Sequence, residues 1–226
     1  MSGSPLIIDL HGNTLTMQDQ RNLSDFDDIA FENGAIAVWP QGFDNSWNSG
    51  YCCSTAGELG LNDTGLIMKI LDKIISNHSV DESRIYLTGW SNGCGMTHRL
   101  AVQSSDVFAA AGCMSMYQFA EVETGYTPIP FMEVHGILDE IVHYGSAAFA
   151  GVILGIPGTG VEQGALQNLE QWANLNGCQG VIPEIIVVED DYDIRGYTDC
   201  ENETQVMLMT LFFAAHNPYE HDDPVA

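Results

Sequence analysis

A chain of 226 residues with 45% hydrophobic content is long enough to bury one substantial core and has the size of a single α/β domain. Six Lys and Arg against 31 Asp and Glu give a formal net charge of −25, so the surface repels phosphate backbones and anionic lipid, which excludes nucleic-acid and membrane-surface binding. No apolar run approaches the roughly 18 residues of a membrane span, and no charged segment leads into an apolar one at the start, so a signal peptide is expected to be absent or already removed.

Residues 1–4, Met1-Ser2-Gly3-Ser4, read as an expression scar or trimmed end, residues 5–219 as one α/β domain, and residues 220–226 as an acidic tail. The first element is a hydrophobic strand, Pro5 to Leu10, running into His11-Gly12-Asn13. A polar stretch follows, then a helix-like run from Asp25 to Asn33 stopped by Gly34, then a strand from Ala35 to Trp39. The loop from Pro40 to Leu61 has a length usually found where loops are functional or mobile. Asn62 or Asp63 caps a helix to about Ser76, with Leu66, Ile67, Ile70, Leu71, Ile74 and Ile75 on one face.

The next segment carries the most information. The β-type run Arg84 to Thr88 ends in Gly89-Trp90-Ser91-Asn92-Gly93, a G-x-S-x-G pentapeptide with a helix-like segment behind it. That context makes Ser91 the candidate nucleophile of an α/β-hydrolase. Side chains at Gly89 and Gly93 would obstruct the turn that lifts the hydroxyl into the open. In that fold one oxyanion N–H comes from the residue after the nucleophile, here Asn92, and the other from the loop after the first strand, here at Gly12 and Asn13.

Beyond the elbow come a helix with Met96 and Leu100, a buried strand from Phe108 to Cys113, and a strand from Pro130 to Gly136 with Asp139 just past its end. A helix is expected from about Val161 to Leu175, then a strand-like run from Ile185 to Val188. The densest acids, Glu189 to Glu203, read as a solvated loop, because an EF-hand register from Asp191 would put Arg195 and Asn202 where oxygen ligands are needed. The last strand-like run, from Val206, ends at His216. Alternating strands and helices predict a mostly parallel sheet with helices on both faces, an α/β-hydrolase fold in a minimal single domain lacking an obvious lid domain.

Ser91, Asp139 and His216 stand in the chain order Ser…Asp…His that α/β-hydrolases use. A serine hydroxyl is a poor nucleophile until a neutral imidazole takes its proton, and a carboxylate fixes that imidazole's tautomer. Among the competitors, His98 reads as a packing or surface residue and His135 as one that orients the acid loop. His221 is a weaker base candidate, and Asp190, Asp191 and Asp193 are weaker acids because they do not directly follow a strand. Trp90, Trp47, Tyr51 and Tyr117 are candidates for an apolar substrate pocket, with core packing as the alternative for each.

Several segments together resemble the polyhydroxybutyrate depolymerase/feruloyl esterase group, often called LpqC-like. They are Leu10-His11-Gly12, Trp47-Asn48-Ser49-Gly50-Tyr51-Cys52-Cys53, Asn62-Asp63-Thr64-Gly65, Val80 to Tyr86, Ser91-Asn92-Gly93, His135 to Asp139, Asn176-Gly177-Cys178 and Ala215 to Tyr219. The resemblance departs at Cys94, where a glycine or small residue is usual, and at His143, where a proline is usual. It implies a Ser91–Asp139–His216 triad, an oxyanion hole completed by the Gly12–Asn13 loop, and a Cys178–Cys200 disulfide.

The even count of six cysteines is compatible with an oxidising compartment, and the partners of Cys52, Cys53, Cys94 and Cys113 stay open. With no C-x-x-C pair or H-E-x-x-H helix, no metal site is expected, and the chemistry calls for no cofactor. The expected function is a secreted serine carboxylesterase acting on short acyl or feruloyl-type esters, small or polymeric. A polyester depolymerase is the alternative. A non-catalytic binding protein on a hydrolase scaffold would show a broken triad, and none of the three residue types is missing.

Overall fold

The computed structural model describes residues 3–50, 52–145 and 164–217. Tyr51, the start of the helix expected from Val161, His221 and the acidic tail lie outside the described residues. The chain divides into two compact units: one runs up to Cys113 and includes Gln118–Ile129, and the other comprises Met114–Tyr117 and the chain from Pro130 onward.

In the first unit, β1 (Ser4–Leu10) lies between β2 (Ile36–Val38) and β3 (Val80–Gly89), and β4 (Ala110–Met114) pairs with β3, all parallel. Leu6, Ile8 and Leu10 alternate along β1 and are fully buried, as a period of two demands of a strand covered by helices. Gly3 and Ser4 belong to this structure: the Ser4 N–H donates to the Ser79 carbonyl, and Arg84 donates to the Gly3 carbonyl. The helices are α1 (Met17–Leu23), α2 (Phe26–Asn33), α3 (Ser54–Glu58), α4 (Asp63–Asn77) and α5 (Asn92–Gln103). The Asn62 side chain caps α4 by accepting the Gly65 N–H, and Ile67 and Leu71 bury its inner face.

Helix α1 falls in what the sequence presents only as a polar stretch. A reciprocal cap starts it, with Thr16 accepting the Asp19 N–H and the Asp19 carboxylate accepting the Thr16 N–H. Periodicity misses it because Gln20 is its buried residue, held by Asp9.

In the second unit, β5 (Phe131–Gly136) pairs parallel with β8 (Val206–Leu211), which pairs antiparallel with β7 (Tyr192–Tyr197), itself antiparallel to β6 (Glu184–Val188). Helix α6 (Ala165–Leu175) precedes them, and Gly177 at φ 61° turns the chain toward Cys178. The predicted solvated loop at Glu189–Glu203 is corrected here, since Tyr192–Tyr197 forms β7. Pairing on both edges satisfies its backbone, and the Asp193 carboxylate is neutralised by Arg195. Strand β6 has one neighbour, so Ile185 and Val188 remain 68% and 65% exposed. The strand orders β2-β1-β3-β4 and β5-β8-β7-β6, with pairing mostly parallel, are those of the α/β-hydrolase fold. Among the described residues no helix is long and apolar enough to cross a membrane.

The acid excess has a measurable consequence. Among the described residues, the ion pairs of Arg21 with Asp27, exposed, and of Arg84 with Asp81, half-buried, are accessible to solvent and worth little, leaving most carboxylates without a cation. The folded state concentrates this charge more than the unfolded chain. Raising ionic strength from about 0.01 M to about 1 M shortens the Debye length from about 30 Å to about 3 Å. The melting temperature is therefore expected to rise with NaCl, and a flat or falling value in a calorimetric salt series would show that bound cations already neutralise the surface.

Candidate active site

Strand β3 delivers Ser91 into a sharp turn. Ser91 has φ 55° and ψ −120°, a region that costs a side-chain-bearing residue roughly 1–3 kcal/mol and persists only where the surroundings impose it. The surroundings are backbone. A Cβ at Gly89 would stand 2.7 Å from the Gly93 carbonyl and 2.9 Å from the Leu10 oxygen, and one at Gly93 would collide with the Leu10 and His11 oxygens. The Trp90 N–H donates to the Leu10 carbonyl at 3.2 Å, and the Gly93 N–H to the Trp90 carbonyl at 2.9 Å. The steric reason for both glycines is thus the end of β1, which passes directly against the elbow.

That approach places the loop after β1 beside Ser91. A Cβ on Gly12 would meet the Trp90 ring at 3.3 Å and the Ser91 Cβ at 3.5 Å. His11 is fully buried and pins the loop. Its Nε2 accepts the Gly42 N–H at 2.9 Å, so its Nδ1, 2.9 Å from the Gly12 carbonyl, is the protonated nitrogen and donates. Burial lowers its pKa and keeps the ring neutral, as this pattern requires. Half-buried Asn13 follows in the tight turn that the Leu15 N–H closes on the Gly12 carbonyl. The Asn92 side chain has a second task that the sequence does not signal. Its Oδ1 accepts the Trp47 N–H at 2.7 Å and its Nδ2 donates to the Trp47 carbonyl at 2.9 Å, which ties the long loop to the elbow.

In the second unit, Asp139 follows β5 and His216 follows β8. The backbones of the two loops meet: the Leu138 N–H donates to the Ala214 carbonyl, and Gly136 lies so close to Ala214 that a Cβ would collide with its oxygen. His216 Nδ1 is 2.9 Å and 3.0 Å from the two oxygens of Asp139, so Nδ1 carries the proton and donates. Asp139 Oδ1 also accepts the Ile141 and Val142 N–H groups at 2.9 Å and 2.7 Å. Burial opposes its ionisation most strongly, yet bonds from His135 and His216 hold its carboxyl well below the usual range. His135 lies on the same strand face as Glu133, with its Nδ1 2.7 Å from the Glu133 carboxylate. His135 is the orienting residue that the sequence suggests, whereas Glu133 does not stand out in it. The available signal was a carboxylate and an imidazole two positions apart inside an apolar strand.

Residues 3–176 match the family described as esterase PHB depolymerase. The chain belongs to that family. It is 28% identical over 222 residues to feruloyl esterase B of Piromyces equi, covering 94% of this chain and 39% of the relative. It is also 28% identical over 141 residues to the bifunctional acetylxylan esterase/xylanase XynS20E of Neocallimastix patriciarum, covering 62% of this chain and 20% of the relative. The chain thus spans well under half the length of these curated relatives. Among solved structures, acetyl xylan esterase from Aspergillus awamori superposes with a TM-score of 0.69 at 16% identity over 98% of this chain and 86% of its own, which establishes the shared fold.

Two aromatic assignments are corrected in this family member. Trp47 is 0% exposed, packs on His11 and donates its indole N–H to the His11 carbonyl, so it is core rather than pocket wall. Tyr117 is 4% exposed, and its hydroxyl donates to the His143 carbonyl at 2.7 Å. Trp90 stays half-buried with its ring against Gly12. Asp193 pairs with Arg195 rather than with a histidine, and His98 is buried. Cys178 is bonded to Cys200, and the open cysteines pair as Cys52–Cys53 and Cys94–Cys113. Cys94, His98 and Cys113 cluster with metal-like spacing, but the disulfide consumes both thiols.

Proposed function

We propose that the chain is a serine carboxylesterase with Ser91 as nucleophile, His216 as base and Asp139 as the acid that orients it. The observation that carries this reading is Ser91 held at positive φ against the end of β1, strain that backbone packing imposes at a residue with a nucleophilic side chain. In this mechanism Ser91 Oγ attacks the ester carbonyl carbon while its proton passes to His216 Nε2. Backbone N–H groups of Asn92 and of Asn13, in the loop after Gly12, stabilise the oxyanion. The tetrahedral intermediate collapses, the alkoxide leaves with the proton from His216, and Ser91 keeps the acyl group. Water, deprotonated by His216, then releases the acid and regenerates the serine.

The substrate class we favour is a hydroxycinnamoyl or short acyl ester, small or carried on a polymer. Two things support it: the printed activities of the relatives, feruloyl and acetylxylan esterase, and the Trp90 ring beside the nucleophile, a flat face for an aromatic acid. Polyester depolymerisation is the second reading, favoured by the description of the matching family. The three disulfides support an extracellular setting. Initial rates on methyl ferulate, aryl acetates, acetylated xylan and polyhydroxybutyrate film test the choice. Turnover of the first three with an intact film is expected. Film clearing with no release of ferulate or acetate would reverse the preference.

A further inference from the structure

We propose that His135, clamped between Glu133 and Asp139 as an imidazolium, is a positioning residue that keeps the Asp139 carboxylate ionised and aimed at His216. The proposal rests on the serine-esterase reading and extends it to a second histidine and a second carboxylate.

The proton count follows from geometry. His135 Nε2 lies 2.7 Å from the Val142 carbonyl, which can only accept, so Nε2 carries a hydrogen. Nδ1 lies 2.7 Å from one Glu133 oxygen while the other accepts from the Asn168 side chain; burial pushes the Glu133 carboxyl up and the bonds from His135 and Asn168 oppose it, and in the proposed state Glu133 is ionised and Nδ1 donates as well. An imidazole that donates from both nitrogens is a cation. Asp139 Oδ2 stands 3.4 Å from Nε2, on the side opposite Glu133's contact. Tyr117 stacks on the ring with centroids 5.0 Å apart, and Tyr144 meets it edge-on at 5.9 Å. Beyond Tyr144 lie Asp193 and Arg195, which neutralise one another, and beyond Asp139 lies His216.

In the proposed state the cluster reads Glu133⁻, His135⁺ and Asp139⁻, all three almost wholly removed from water. Without the central cation, two buried carboxylates would face each other and one would take up a proton. Burial alone would strip His135 of its charge, but bonds to Asp139 and Glu133 raise its pKa to about 9. The cation is thus present at neutral pH and is lost as pH rises through that value. Its loss leaves a lone pair on Nε2 facing the Val142 carbonyl, and the Val142 N–H is one of the donors that seats Asp139. Stability alone gives no reason for such an array, since an apolar packing of similar volume is often as stable as a buried ion pair or more so.

The test combines spectroscopy with kinetics on the full chain. In ¹⁵N-histidine-labelled protein the resonances lost in His135→Gln are expected to report two protonated ring nitrogens at pH 7 and to titrate near pH 9. A neutral His135 at pH 7 overturns the proposal. His135→Gln is expected to lower kcat by on the order of 10²-fold with KM nearly unchanged, the cost of misplacing a catalytic group by about 1 Å. Its acid limb should move to higher pH as Asp139 loses its cation. Glu133→Gln, a gentler change that keeps the strand packing, should instead bring the alkaline limb down from about pH 9. Limbs unmoved in both variants, with only melting temperature or amplitude reduced, mean a structural role and overturn it. Ser91→Ala separates the two readings. Turnover retained there brings down the esterase reading and this proposal with it, whereas an inactive Ser91→Ala with unmoved limbs overturns the proposal alone.

Discussion

Ser91→Ala is expected to lower kcat by about 10⁴–10⁶-fold, and a fluorophosphonate should label the wild-type protein once, at Ser91, and leave the variant unlabelled. The size of the effect follows from the chemistry: without Oγ no acyl-enzyme forms, and only the oxyanion donors remain to act on an attacking water. The fold should survive, because the strain at Ser91 is backbone strain set by Gly89, Gly93 and the end of β1, and alanine inherits the same φ. Mass spectrometry of the labelled peptide and ester turnover by Ser91→Ala decide the matter together. Labelling elsewhere, with turnover intact, would remove the nucleophile assignment.

For Asp139→Asn the expected loss is about 10⁴-fold in kcat, with KM little changed. Here the structure says which way the amide settles. Oδ1 accepts the Ile141 and Val142 N–H groups, and only an oxygen can keep both bonds. The new NH₂ group therefore takes the place of Oδ2, 2.9 Å from His216 Nδ1, and favours the tautomer whose Nδ1 offers its lone pair over the one that donates to Oδ1 at 3.0 Å. The proton moves to Nε2, and the nitrogen that should receive the Ser91 proton is already occupied. Because the loop keeps its anchors, the melting temperature should change far less than the rate. Retention of more than a tenth of wild-type kcat would mean that another carboxylate serves His216.

How much of this was legible beforehand depends on how local each feature is. The elbow was, because a strand, two small residues around a serine and a helix lie within a dozen positions, and the steric demand on Gly89 and Gly93 follows from the turn itself. Helix α4 was too, through the Asn62 cap and an apolar face that repeats every three to four residues. The acidic run hid β7 because charge density signals solvent, and nothing local announces that Arg195 will neutralise Asp193. Trp47 was misread as a pocket residue for the same reason. An indole serves equally well in a core or at a binding face, and its bond to the His11 carbonyl, 36 residues away, made it core.

The sequence by itself determined the chain order of Ser91, Asp139 and His216, the strands that precede each, and the acidity of the chain, because composition and short-range stereochemistry need no partner. The meeting of Asp139 with His216 across 77 residues, the pairing of the four cysteines left open, and the Glu133–His135–Asp139 array were decided only in three dimensions. Each depends on strand register and loop approach, such as Gly136 against Ala214, and those are set by the packing of the whole unit rather than by any segment of it.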